Sequence, residues 1–270
     1  MSDTAYKLYR ERWWIVICVA LIWGGNHCHW VSIPSVGKVV AEYYSQTGEK
    51  VDLISTLSVG IGIPSVILAT LLVDFRGTKE SIHWAAILTI IGELLCLLSS
   101  LIQSNYLGYK LFDAKYYLIL IGQAFTGAAT PFLACVPTKI SQNWFGPDYE
   151  RTLATTIMTM APAIGMIFGH GITPLFVKEK EDVYILNICW FIPATLGCVL
   201  ALCKINKSHP DVPPSRSADL QRQRSILGKS FKGWLLDIKI VLSNPMAVLL
   251  LLFYSTASGY SITIATKLEH

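Results

Sequence analysis

Long apolar runs separated by short polar joints set the pattern of this chain. Runs at about 13–33, 53–73, 82–103, 116–137, 152–177, 184–203 and 245–266 stand out. Each is long enough to cross a hydrocarbon layer, because about 20 helical residues match a core roughly 30 Å thick. The first run turns polar at Gly24-Gly25-Asn26-His27-Cys28-His29-Trp30 and ends at Pro34, and a short outer loop reaches Asp52. Gly60, Gly62 and Pro64 in the second run permit a bend or close packing. Asp74-Phe75-Arg76-Gly77-Thr78-Lys79 then makes a tight charged turn. Between the fourth and fifth runs, Thr138 to Arg151 forms a membrane-surface joint. Lys139 and Arg151 stand at its two helix ends, Trp144 and Phe145 at an interfacial position, and Gly146-Pro147 in the turn.

The organisation is therefore a short arm (1–12), a six-span bundle (13–203), a basic loop (204–243) and a seventh span (244–270). Within the loop, the Pro, Ser and charged residues of HPDVPPSRSADLQRQR read as a disordered linker. The following segment has Ile226, Phe231, Trp234, Leu235 and Ile238 in loose helical spacing with Lys229, Lys232 and Lys239, which suits an amphipathic surface helix. The fold class is all-α integral membrane.

Composition agrees, with 53% of the 270 residues hydrophobic, 15% charged and a mean hydropathy of +0.48, against about a quarter charged in soluble domains. Placement of charge matters more than the net +4. With the amino terminus inside, fifteen Lys and Arg fall on inner segments and six on outer loops, which puts the arm and the basic loop in the cytoplasm. The sequon Asn206-Lys207-Ser208 then lies on the wrong side for glycosylation. No signal-peptide cleavage pattern precedes the first span. The seven cysteines show neither zinc-type spacing nor a secreted disulfide framework and read as packed thiols. Nothing suggests a nucleic-acid partner, a metal or a cofactor, and no nucleophile–base pair or phosphate loop suggests an enzyme.

Candidate chemistry concentrates at the polar end of the first span. Trp23, Asn26 and Trp30 fall at i, i+3 and i+7 on one helix face, with His29 beside them. An aromatic face with hydrogen-bonding neighbours suits an organic cation, which a ring quadrupole holds by about 1–2 kcal/mol when desolvated. The same tryptophans also read as packing or interface anchors. Joint metal or haem-iron binding by His27, Cys28 and His29 requires unwinding, because the two histidines lie about 200° apart on a regular helix. Glu93, midway along the third span, must face a cavity or a partner, and no Arg or Lys embedded in these spans is available to pair with it. Gln123, Thr126 and Thr130 offer hydrogen bonds along the fourth span. In the fifth span, Ala161, Gly165, Gly169 and Thr173 form a small-residue stripe for close helix packing, with Pro162 a kink.

The joint from Pro137 onward resembles that of the feline leukaemia virus subgroup C receptor-related transporters, a subfamily of the major facilitator superfamily. Pro137, Lys139, Trp144-Phe145-Gly146, Glu150 and Thr152 to Thr156 carry the likeness, which returns at Ser258-Gly259-Tyr260. Asp74, Gly77 and Lys79 are similar to a reduced form of the superfamily turn that locks the two halves together. The resemblance implies the six-helix amino-terminal bundle of a facilitator plus one further span, truncated relative to twelve, moving a small organic solute by alternating access. It also implies that Asn26 and Trp30 line the substrate site, since the family's Asn and choline-site Trp correspond to them; the reading of the residues adds His29, with Glu93, which has no counterpart in the family pattern, and Gln123 contributing. Choline- or ethanolamine-like cations rank first and haem second. The family's binding Gln in the fifth span is replaced by Ala163, aligned through Gly165 and Gly169, and the fourth span lacks the Arg of many proton-coupled facilitators. Expected partners are the lipid bilayer, the solute and a partner half or second copy, with the plasma membrane as location. A non-transporting receptor or regulator of a full-length sibling is the competing class.

Overall fold

The structure, a computed structural model, describes residues 6–102, 109–226 and 230–267. Among the described residues, six helices are long and apolar enough to cross a membrane: α1 (Arg12–Ser35), α3 (Gly48–Phe75), α4 (Thr78–Leu101), α5 (Tyr109–Ala134), α7 (Tyr149–Phe176) and α8 (Val183–Lys204). Short helices α2 (Gly37–Tyr44) and α6 (Pro137–Trp144) occupy the outer loop and the joint. Pro137 opens α6 at a first-turn position, where its missing N–H costs nothing. The joint is thus a helix followed by a turn.

The spans are buried unevenly, as a bundle in lipid requires. Ile63, Ile67, Leu68, Ile167 and Leu175 point outward from α3 and α7, where hydrocarbon is their solvent. α1 runs through the middle, packed along α7 and α8, while α5 bridges α3 and α4, and α4 also meets α8. One core cluster gathers Ile15, Val19, Ile22, Leu133, Phe145 and Met158 toward the amino-terminal end of α1. A second gathers Ile33, Tyr44, Ile54, Ile119 and Leu186 at the opposite end. There α2 is pinned by Tyr43 Oη donating to the Ser100 carbonyl (2.8 Å) and by Tyr44 Oη bonded to Ser99 Oγ (2.7 Å).

The small-residue stripe of α7 lies in register against α1. A Cβ at Gly165 would strike the Gly24 carbonyl oxygen, and one at Gly169 would sit 2.5 Å from that of Cys28. One turn further, Thr173 Oγ1 donates to Ser32 Oγ (2.9 Å). Residues 24, 28 and 32 of α1 therefore meet 165, 169 and 173 of α7 at steps of four, and backbone-to-backbone contact substitutes for side-chain interdigitation.

At the end of the bundle that carries the amino terminus, the joint and the charged turn are tied together. Lys139 pairs with Asp74, and Arg12 pairs with Glu150 at 2.5 Å while lying over the Phe145 ring. Trp13 meets the same ring edge-on. Ser208 knits in the segment after α8: its carbonyl accepts from Trp144 Nε1 (3.2 Å) and Thr78 Oγ1 (3.3 Å), and its Oγ accepts from the Lys79 backbone N–H (3.1 Å). Gly77 stands at φ 96°, a left-handed conformation that also leaves room for Ser208.

Two expectations for the basic loop change. The segment read as a disordered linker contains α9 (Arg216–Ile226), started by Ser215, whose Oγ accepts from the Ala218 N–H (3.3 Å). Arg222 reaches back to the carbonyls of Pro210 and Asp211. α10 (Phe231–Ser243) covers the expected surface helix, with Phe231 stacked on Trp234, while Lys229 lies outside the described residues. α11 (Pro245–Lys267) follows across an 85° bend at a single break, so the pair amounts to a seventh span if the two are one broken crossing. None of the described side chains of α10 or α11 is buried, although α11 touches α1.

Candidate functional site

α1 presents three distinct faces. Gly24, Cys28 and Ser32 meet α7, and Gly25 meets Ala194 of α8. Asn26 and His29 turn toward α4 and α8, and Trp23, His27 and Trp30 share what remains. Asn26 and Trp30, four residues and so only about 40° apart around the helix, meet different neighbours, Thr89 of α4 and Ser55 of α3.

The sealed seam is polar. Asn26 Nδ2 donates to Thr89 Oγ1 (2.9 Å), and His29 Nε2–H donates to Asn187 Oδ1 (3.1 Å), whose Nδ2 donates to the Cys96 carbonyl (3.0 Å). With the Asn187 amide fixed in this way, Nε2 carries a hydrogen. On its other side, His29 Nδ1 lies 2.7 Å from Glu93 Oε2. With the imidazole protonated, the two form a buried ion pair. A nitrogen and a carboxylate oxygen this close need a proton on one of them. Both residues are 1% exposed. Glu93 has therefore found its partner in a histidine of the first span rather than in an Arg or Lys, and three spans, α1, α4 and α8, are joined through it. Such a group inside a membrane is tolerated because it is paired.

The open face is aromatic. The rings of Trp23 and His27 meet edge-on with centroids 6.2 Å apart, and those of His27 and Trp30 at 6.1 Å. All three are half-buried. Trp30 Nε1 donates to the Ser55 carbonyl of α3 (3.2 Å), which fixes the plane of its indole. His27 Nδ1–H donates to the Trp23 carbonyl one turn back (3.1 Å). A carbonyl oxygen only accepts, so Nδ1 is the protonated nitrogen. The arrangement offers fixed ring faces to a cation or an apolar group.

The other candidates lie elsewhere. Gln123 is buried against α4, with Nε2 directed at Cys96 Sγ (3.6 Å), and Thr126 and Thr130 bond within their own helix. Asp74, Gly77 and Lys79 belong to the tie at the amino-terminal end, and Gly165 and Gly169 to the α1–α7 seam. Of the residues singled out in the sequence, His29 and Glu93 are brought into contact and Asn26 lies on the same seam, whereas Trp30 and Gln123 are each tied to α3, through Ser55 and Ser58. Asn187 and His27 were missed as members of these groups. A lone amide in the strongly apolar run of α8 was the available signal for Asn187, and the i, i+4, i+7 spacing of Trp23, His27 and Trp30 was the signal for His27. Among the described residues, no group of three His, Cys, Asp or Glu is placed to hold a metal ion. A hollow of about 550 Å³ between the arm and the segment after α8, lined by Tyr9, Trp14, Trp144 and Lys204 among others, is not part of this face. From Trp14 to Trp30 is about 24 Å along the helix.

Residues 14–269 match the Major Facilitator Superfamily. The chain belongs to the major facilitator superfamily. Its relatives include a solute carrier family 49 member A3 protein of Xenopus tropicalis, 26% identical over 264 residues, with 98% of this chain and 52% of that protein covered. Another is the choline/ethanolamine transporter FLVCR2 of Homo sapiens, 23% identical over 270 residues, covering 97% and 48%. Among solved structures, a D-xylose-proton symporter matches with a TM-score of 0.53 at 16% identity over 85% of this chain and 55% of that one. The chain thus spans about half the length of the curated relatives it matches.

In facilitators the substrate site lies near the membrane midplane between two six-span halves. The Trp23–His27–Trp30 face is only partly covered within these six spans, whereas the His29–Glu93 seam is closed.

Proposed function

We propose that the chain forms the amino-terminal part of a transporter of small organic cations of the choline and ethanolamine kind, working by alternating access. The observation that carries this reading is the half-buried Trp23–His27–Trp30 face, with Trp30 held in place by the Ser55 carbonyl of α3. A desolvated ammonium within about 6 Å of such a ring gains on the order of 2 kcal/mol. The choline/ethanolamine transporters among its relatives support the substrate class. Trp30 is the principal contact. Asn26, His29 and Glu93 act behind it by fixing α1 against α4 and α8, and Gln123 by fixing α5 against α4. The facing wall comes from a partner half, which either a second copy or further spans supply. The excess of Lys and Arg on the inner segments supports a cytoplasmic amino terminus, and the plasma membrane is the location that this reading proposes.

The test is uptake of radiolabelled choline in cells expressing the chain with whatever its gene encodes beyond residue 270, beside Trp30→Ala. Saturable uptake reduced about tenfold or more by Trp30→Ala is expected, the cost of losing a ring contact of about 1.4 kcal/mol or more. Choline uptake that never exceeds that of untransfected cells, or that is indifferent to Trp30, would overturn the reading.

A further inference from the structure

The two ends of the His27 ring have different surroundings. Nδ1–H is committed to the Trp23 carbonyl, so a neutral ring carries its lone pair at Nε2. That nitrogen has no bond within the protein, yet it is not among the buried atoms lacking a partner, so it reaches the open side of the half-buried face. It is also flanked by ring systems on both sides, Trp23 and Trp30. The open face therefore carries one outward hydrogen-bond acceptor set among aromatic surfaces that attract cations. Neither indole contributes a competing donor there, since Trp30 Nε1–H is spent on Ser55 and Trp23 Nε1 is buried.

We infer that His27 is a specificity-determining residue of this face, its Nε2 accepting a hydrogen bond from a hydroxyl or N–H of the ligand, so that the site selects cations bearing a donor over otherwise similar cations without one. This rests on the cation-site reading above and sharpens it. Choline carries its hydroxyl two carbons from its nitrogen, which lets the ammonium lie on one ring while the hydroxyl reaches the next. Ethanolamine offers donors at both ends. Tetramethylammonium has the same charged head as choline and no donor at all. A site that pairs its own polar group only with the donor-bearing ligand discriminates against the analogue that leaves that group unpaired.

The experiment measures inhibition of choline uptake, and direct binding to the same protein in lipid nanodiscs, for choline and tetramethylammonium. Wild type, His27→Leu, His27→Gln and Trp30→Ala are compared. In wild type, choline is expected to bind about five- to tenfold more tightly than tetramethylammonium, the fold expected of one hydrogen bond. His27→Leu is expected to erase that preference by weakening choline alone, and retained tetramethylammonium binding is itself the sign that the variant is folded. His27→Gln, which places a carbonyl oxygen near the position of Nε2, is expected to restore most of it. Loss of both ligands to the same degree in His27→Leu, or an unchanged preference, overturns the role of His27 while a Trp30-dependent cation site stands. Absence of binding by both cations in wild type overturns the cation site and His27's role together.

Discussion

His27 and His29 sit two residues apart on one helix and live in different solvents. His29 is enclosed, held through Nε2 by Asn187 and through Nδ1 by Glu93, in a seam that joins three spans. His27 is half-buried, held through Nδ1 alone, and stands between two tryptophans. Residue type does not distinguish them, and their neighbours in the chain barely do. The difference comes from rotation about the helix axis by about 200°, which assigns one imidazole to a surface closed by α4 and α8 and the other to a surface only partly covered within the six-span unit. The same chemical group thus serves as a structural tie on one side and, in the site proposed above, as an acceptor for the ligand on the other.

This contrast can be broken from the seam outward. The largest effect is expected at Gly165, where any side chain meets the Gly24 backbone and drives α7 off α1. Gly165→Leu is expected to yield no monodisperse protein on gel filtration in detergent, whereas Ile164→Leu, one residue away and exposed, behaves as wild type. A smaller but clear loss is expected at Glu93. Removing one member of a buried pair costs about 3–5 kcal/mol, so Glu93→Ala lowers the thermal unfolding midpoint markedly and Glu93→Gln, which retains a polar partner for the imidazole, lowers it less. An Ala variant that melts with wild type would show that the seam does not depend on this contact.

The spans were legible because length and hydropathy alone define them: α1, α4, α7 and α8 begin and end within a few residues of the apolar runs. The helical joint α6 and the loop helix α9 were not, since neither is apolar enough to announce itself. α9 is marked by a serine cap in a segment whose composition argues for disorder. The neighbours of the candidate residues were legible only in part. Grouping Asn26 with Trp23 and Trp30 by i, i+3 and i+7 spacing selects one edge of a wide face, and the edge bearing Asn26 is the one α4 covers through Thr89. Periodicity gives the direction of a side chain but not the identity of what lies in that direction. Glu93 illustrates the same limit. A search for a cationic partner among Lys and Arg finds none in the spans, while His29, far away in sequence and poised to share a proton, lies in contact.

The most direct test of the central claim, that α1 divides into a sealed polar seam and an open ligand face, is thiol accessibility at the two histidine positions. In a background with Cys135, Cys189 and Cys203 replaced by Ser, leaving the buried Cys18, Cys28, Cys96 and Cys198 in place, His27→Cys and His29→Cys are compared for reaction with a small water-soluble methanethiosulfonate. Position 27 is expected to react at least tenfold faster than position 29 and to be protected by choline. Equal reaction at the two positions, or a position 27 that stays unreactive, would contradict the account.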